Sequence, residues 1–307
     1  MFPDNPSLIQ TGPDPSSSSS QSLWSTPPTP LVLIHDGGGT VFSYYCLNDL
    51  DRPVHGISNP HYDSGEPFPG GIPEMAELYI KYIKSVVPRG NLIIGGWSLG
   101  GLLSLEVASR LAREKPSSSS GINLLGIVMI DSVCPLSWRR GAASEGFLKI
   151  IKNGAAWGPH TKEETKLKVT RCFAESSRMV GEWELPAWEA DTGENSFENG
   201  VGERKGRELK PPPPVILLRA KDRVPVPGEA EGTVSRVDVC RGDRHLGWDD
   251  YRKGLITKVV DIPGHHFNIF SDMENLDVVT EEIKRACREL EGWDVRRFFS
   301  WGEGERR

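Results

Sequence analysis

The chain has 307 residues, 37% hydrophobic and 25% charged, enough for one large folded domain with polar loops. A net charge of −6 argues against a nucleic-acid binder. No apolar run approaches the roughly 20 residues that span a bilayer, and the first thirty residues lack the basic start and apolar stretch of a signal peptide. Five scattered cysteines with no CxxC pair form no disulfide framework, which implies a reducing, cytoplasmic setting.

Residues 1–30 are rich in Ser and Pro and read as a disordered leader. Order is expected to begin at "LVLIH", 31–35, a short apolar run with the character of a buried strand. "VHGI", 54–57, reads as the next strand. Residues 73–87 read as a helix, with Ala76, Ile80, Ile83 and Val87 on one face, Pro73 in the first turn and Pro88 as the stop. "NLIIGG" is a strand and 100–114 a helix, followed by the polar loop "PSSSSG", 116–121. "NLLGIVMID" (123–131), "PVILLRA" (214–220) and "LITKVVDI" (255–262) read as further buried strands. The last helix, 274–290, aligns Leu276, Val279, Ile283, Cys287 and Leu290.

Strands alternating with helices predict an α/β fold: a mostly parallel sheet with helices on both faces. The interval from about 135 to 213 breaks that rhythm. It holds two expected helices, 144–153 and 161–180, and a long polar stretch ending in four prolines, so it reads as a lid insertion. The expected organisation is thus a leader (1–30), a domain (31–290) and a C-terminal tail (291–307).

"GWSLG", 96–100, fits G-x-S-x-G between a strand and a helix. Such a turn forces the serine into a strained backbone conformation and lifts its hydroxyl above the sheet edge. Gly96 and Gly100 remove side chains that would clash there. The following helix points its positive end at a developing anion, and the Leu99 N–H would supply half of an oxyanion hole. "HDGGG", 35–39, ends a strand in three glycines, so Gly37, with Gly38 beside it, is the candidate for the second donor.

A serine nucleophile needs a histidine base, and that base needs a carboxylate to fix its tautomer. His265 and His266 follow the last strand, where this architecture places the base. Adjacent side chains diverge, so only one can face Ser98. His245 has no clear strand before it, and His35 reads as a pocket-lining or packing residue. Two aspartates compete for the acid. Asp131 ends an apolar strand, whereas Asp222 follows a late strand inside the charged triplet Lys221, Asp222 and Arg223. Residue order leaves both open. Trp183 and Trp188 suit an acyl channel or an anchor for the lid equally well.

Taken together, "LVLIHDGGG", "GGWSLGG", "VMIDSVCP", "LLRA", "HLGWDDY" and "PGHHFNIF" resemble the thioesterase domains of polyketide and non-ribosomal peptide synthases, of the fungal type, over about residues 31–290. The resemblance implies an α/β-hydrolase fold and a Ser-His-Asp enzyme that hydrolyses thioesters without metal or cofactor. It selects Asp131 as the acid and His266, the histidine directly before a phenylalanine, as the base. It also implies release of a polyketide-like acyl chain from an acyl carrier protein domain, by hydrolysis or cyclisation. The chain shows a leader and no carrier segment, so it is expected to be free-standing and to act in trans, with neither nucleic acid nor membrane as partner. His35 departs from the proline or similar residue common before the glycine loop, and the lid aligns with nothing in the family. A generic carboxylesterase of the same fold, or a catalytically idle binding protein, remain the alternatives.

Overall fold

A computed structural model describes residues 4–13, 27–114, 121–137, 150–151, 160–188, 210–226 and 233–302. Seven strands form one sheet: β1 (Ser7–Thr11), β2 (Leu31–Ile34), β3 (Pro53–Ile57), β4 (Gly90–Trp97), β5 (Ile122–Ile130), β7 (Val215–Ala220) and β9 (Ile256–Ile262). Their order is β1-β3-β2-β4-β5-β7-β9. Every neighbouring pair is parallel except β1 with β3. The helices α1 (Gly71–Val86), α2 (Leu99–Arg113), α3 (Glu163–Glu182) and α4 (Met273–Gly302) accompany them.

The apolar strands divide between two cores by simple alternation. Val32, Ile34, Ile94, Ile127 and Met129 face α1 and α2, against Ile72, Met75, Tyr79, Ile83, Leu103 and Val107. Leu31, Leu33, Ile93, Val128 and Ile130 face the other side, against α4. There Leu276, Val279, Ile283, Cys287 and Leu290 form the stripe expected from their spacing, all buried. Each fully buried Leu, Ile or Val contributes roughly 1.5–3 kcal/mol, which is why continuous apolar runs are stable only when covered on both faces. Among the described residues no helix is long and apolar enough to cross a membrane.

Three expectations are corrected. Order does not begin at Leu31, because Ser7–Thr11 pairs antiparallel with β3, Ser7 opposite Gly56 and Thr11 opposite Pro53. Polar side chains hold this edge: Asn5 Nδ2 donates to Ser58 O at 2.8 Å, and Leu50 N donates to Gln10 Oε1 at 2.8 Å. Residues 14–26 of the leader lie outside the described residues. The last helix does not end at 290 but runs to Gly302, so most of the expected tail is helical. Glu291, just past the expected end, accepts from buried Arg52 Nη1 at 2.9 Å and from Thr29 N at 3.0 Å, which stabilises the continuation. Within the expected helix 144–153, Ile150–Ile151 is instead a short strand, β6, parallel to β8 (Val234–Ser235). The remainder of that helix, the 116–120 part of the serine loop and the polar stretch 189–209 lie outside the described residues.

The described part of the 135–213 interval includes α3, close to the expected 161–180 helix. It packs over the loop after β2 and the segment before α1. Arg178 Nη2 donates to Phe68 O at 2.8 Å, Phe68 N donates to Glu175 Oε1 at 3.0 Å, and Lys168 pairs with Asp63 at 2.8 Å.

Candidate active site

The turn between β4 and α2 carries Ser98 at φ 55°, a left-handed conformation that costs a non-glycine residue about 1–3 kcal/mol. Four contacts impose it. Ser98 N donates to Ile130 O at 2.9 Å, Gly101 N donates to Ser98 O at 3.2 Å, and Ser132 Oγ donates to Ser98 O at 2.8 Å. The fourth is steric, from the strand beside it. A Cβ on Gly96 would sit 2.5 Å from the Ile34 carbonyl oxygen, and one on Gly100 would sit 2.3 Å from the same atom. The two glycines therefore let β2 and the start of α2 close together beneath the serine.

Asp131 follows β5, also at positive φ (46°), with its N–H donating to Leu218 O at 2.8 Å. Its carboxylate is fully buried and accepts four bonds. Oδ1 takes Ala220 N at 2.9 Å and Arg241 Nη1 at 2.5 Å, while Oδ2 takes Arg241 Nη2 at 2.8 Å and His266 Nδ1 at 2.8 Å. Burial alone would push the carboxyl up. The bonds from His266 and Arg241 outweigh it and hold the pKa at about 2. His266 Nε2 lies 3.1 Å from Ser98 Oγ. With Nδ1 donating to Asp131, Nε2 is an acceptor aimed at the serine proton. Trp97 flanks the imidazole, ring centroids 5.5 Å apart, and packs in turn on Phe270.

The rival residues lie elsewhere. His265 turns away, its Nδ1 accepting from Phe267 N at 3.2 Å. The Asp222 side chain is exposed and bonds to neither histidine among the described residues. His245 pairs with Asp249 at 2.7 Å. His35 is buried, its Nδ1 donating to Asp36 O at 2.6 Å, with Tyr79 Oη 2.6 Å from Nε2, and burial lowers its pKa to about 4. It is a neutral packing residue. Trp183 and Trp188 sit in the core with α1 and α2, and Trp183 Nε1 donates to Glu106 at 3.1 Å, which makes them anchors.

In the glycine loop, Gly38 N donates to Asp36 Oδ1 at 3.0 Å and Gly39 N to Asp36 O at 3.1 Å. Among the described residues, Gly37 N and Leu99 N donate to no protein acceptor, and both residues border the cavity that contains Ser98 and His266. That cavity measures about 420 Å³, with Phe173 of α3 and Arg236 among its walls. It brings a hydroxyl within hydrogen-bond reach of an imidazole and beside two unengaged N–H groups, an arrangement that could serve attack on a carbonyl carbon. No group of three or more metal-ligating side chains occurs among the described residues.

Sequence reasoning missed Arg241, Ser132, Arg236 and Ser176, the last of which lines the cavity and donates to Gly37 O. None lies in a motif with a mechanism attached. The only signal for Arg241 was its place in a polar segment, "CRGDRH", after the insertion.

Residues 29–149 match the family model "Thioesterase domain". The chain is 34% identical over 269 residues to "Probable thioesterase gloN" of Glarea lozoyensis, covering 86% of this chain and 91% of that one. It is 36% identical over 267 residues to "Thioesterase frbE" of Dothideomycetidae sp., covering 85% and 90%. The fold is similar to the crystal structure of the NocB thioesterase domain from the nocardicin cluster. That likeness has a TM-score of 0.54 at 21% identity, over 85% of this chain and 94% of that one.

Proposed function

The chain belongs to the thioesterase family, and from that premise we propose that it releases a polyketide-like acyl chain from an acyl carrier protein domain acting in trans. The observation that carries this reading is the Ser98–His266–Asp131 relay, 3.1 Å and 2.8 Å, at the wall of a cavity large enough for an acyl group. Ser98 Oγ attacks the thioester carbonyl carbon while His266 Nε2 takes its proton. The Gly37 and Leu99 N–H groups receive the oxyanion. The C–S bond breaks, His266 returns the proton to the departing thiol, and an acyl-enzyme remains. Water then yields the acid, or a hydroxyl or amine of the chain itself yields a ring. Asp131 holds the imidazole and balances its charge throughout. The five free cysteines, Cys46, Cys134, Cys172, Cys240 and Cys287, support a cytoplasmic location.

The test offers the full chain acyl groups loaded on carrier domains, with p-nitrophenyl esters for comparison, and follows products and acyl-enzyme by mass spectrometry. Carrier thioesters are expected to turn over faster, with a Ser98-bound acyl group that Ser98→Ala lacks. Normal turnover by Ser98→Ala overturns the mechanism. Preference for the oxygen esters makes the chain a carboxylesterase of the same fold.

A further inference from the structure

Arg241 touches the relay from behind. It is buried, comes from the turn after β8, and grips Asp131 with both terminal nitrogens, 2.5 Å to Oδ1 and 2.8 Å to Oδ2. Its Nε donates to buried Asp238 at 2.9 Å, and Nη1 and Nη2 also donate to Ala220 O at 2.9 Å and Val237 O at 3.2 Å. A relay of serine, histidine and aspartate needs no guanidinium to work, so this clamp calls for an explanation of its own.

We propose that Arg241 is a positioning residue that sets both the orientation of the Asp131 carboxylate and the pH at which His266 becomes an effective base. This rests on the serine mechanism above. The orientation follows from geometry. A planar fork on both oxygens stops the carboxylate rotating, and Ala220 N fixes it from a third side, so Oδ2 stays aimed at His266 Nδ1. The charge effect follows from the sum. Asp131 and Asp238 carry two negative charges and Arg241 one positive, so the imidazolium formed during attack faces a net charge of about −1 rather than −2. The other titratable or charged groups around this site are His265 beside it, exposed Asp222, Arg236 in the cavity wall and Asp36 in the glycine loop, and all four are the same in wild type and in the variants compared below. Burial disfavours the Arg241 charge, and the bonds to and charges of Asp131 and Asp238 outweigh it and keep the guanidinium ionised.

The two halves of the clamp predict opposite shifts. Arg241→Met removes the positive charge, favours the imidazolium and moves the acidic limb of activity to higher pH. Asp238→Asn, which does not touch Asp131, removes a negative charge and moves that limb to lower pH. The expected size is about 0.5–1 pH unit in each direction. Arg241→Met should also lower the plateau about 10- to 100-fold through the freed carboxylate. The readout is the rate at which an alkyl fluorophosphonate labels Ser98, from about pH 5 to about pH 9. Here a P–O bond forms, P–F breaks and the serine proton passes to His266, so no acyl substrate need be known. Labelling of wild type that Ser98→Ala loses tests the serine reading separately; its absence removes that reading and this one with it. A lower plateau in both variants with the limb unmoved gives Arg241 a purely structural role and overturns the proposal. If Arg241→Met does not fold, the shift in Asp238→Asn decides alone.

Discussion

The hydroxyl of Ser176 donates to the carbonyl oxygen of Gly37 at 3.1 Å, so the helix over the cavity is bonded directly to the loop that bears the proposed oxyanion donor. Phe173, one turn earlier, lies where a Cβ on Gly37 would be, at 2.9 Å. Helix α3 therefore sets the height of the Gly37 N–H above Ser98. A buried hydrogen bond of this kind contributes about 0.5–1.5 kcal/mol. Ser176→Ala is expected to lower kcat about 3- to 10-fold with KM nearly unchanged, because the donor is needed most in the transition state. Steady-state kinetics on a soluble thioester checks this. A rise in KM at constant kcat would instead assign Ser176 to substrate binding.

Asp131 and Asp222 both follow strands, and a direct comparison separates them. Asp131→Asn keeps the shape but gives the imidazole a donor where it needs an acceptor. It should lower kcat about 10³- to 10⁴-fold. Asp222→Asn, exposed and unbonded to His266, should stay within about twofold. Stability should diverge as well. The carboxyl of Asp131 is depressed to about 2, so its stabilisation is complete above the unfolded value near 4 and is lost as pH falls through about 2. At neutral pH Asp131→Asn forgoes that term and leaves Arg241 facing a neutral amide, so its Tm drops while that of Asp222→Asn does not. Equal losses of kcat in the two variants would remove Asp131 from the role of acid.

How much of this was legible follows from where each constraint lies along the chain. The elbow could be read because its causes are local: glycines two residues either side of Ser98, between an apolar strand and an amphipathic helix. His266 could be placed after the last strand, but its distinction from His265 came from resemblance. The choice of Asp131 over Asp222 likewise came from resemblance, and residue order and local sequence left it open for a physical reason. What separates them is the set of donors that converge on one carboxylate, and Arg241 lies 110 positions away from Asp131. The strand Ser7–Thr11 was hidden because an edge strand needs no apolar alternation when a neighbour supplies its bonds. The helix beyond 290 was hidden because the described contact that anchors its continuation is a bond from buried Arg52 to Glu291, which apolar periodicity does not reveal.

The glycines of the elbow give a paired test. At Gly100 an added Cβ meets a backbone carbonyl at 2.3 Å, and no rotamer change can relieve that. Gly100→Ala is expected to lose about 2–4 kcal/mol by urea unfolding and to lose labelling of Ser98. At Gly181, exposed within α3, an added Cβ meets nothing within 4 Å. Gly181→Ala should gain about 0.5–1 kcal/mol from helix propensity alone. A neutral Gly100→Ala would mean that the elbow relaxes more freely than its packing against β2 allows.

Asp36 supplies a pH test of the glycine loop. Burial pushes its carboxyl up to about 7, against the bonds from Gly38 and Gly39 N–H that favour the ionised form. Because the folded value is raised, the contribution to stability is fully present below the unfolded value near 4. It declines as pH rises and is gone above about 7, where the fold must hold a desolvated charge beside Gly37. Asp36→Asn keeps an oxygen to accept the Gly38 N–H and removes that charge. The variant should therefore match wild type near pH 4 and be more stable by about 1–2 kcal/mol above pH 7. Activity should follow, since an anion next to the oxyanion donors opposes the charge they are meant to receive. Thermal melts of both proteins between those two pH values decide it: parallel curves would show that Asp36 ionises as readily in the folded chain as in the unfolded one.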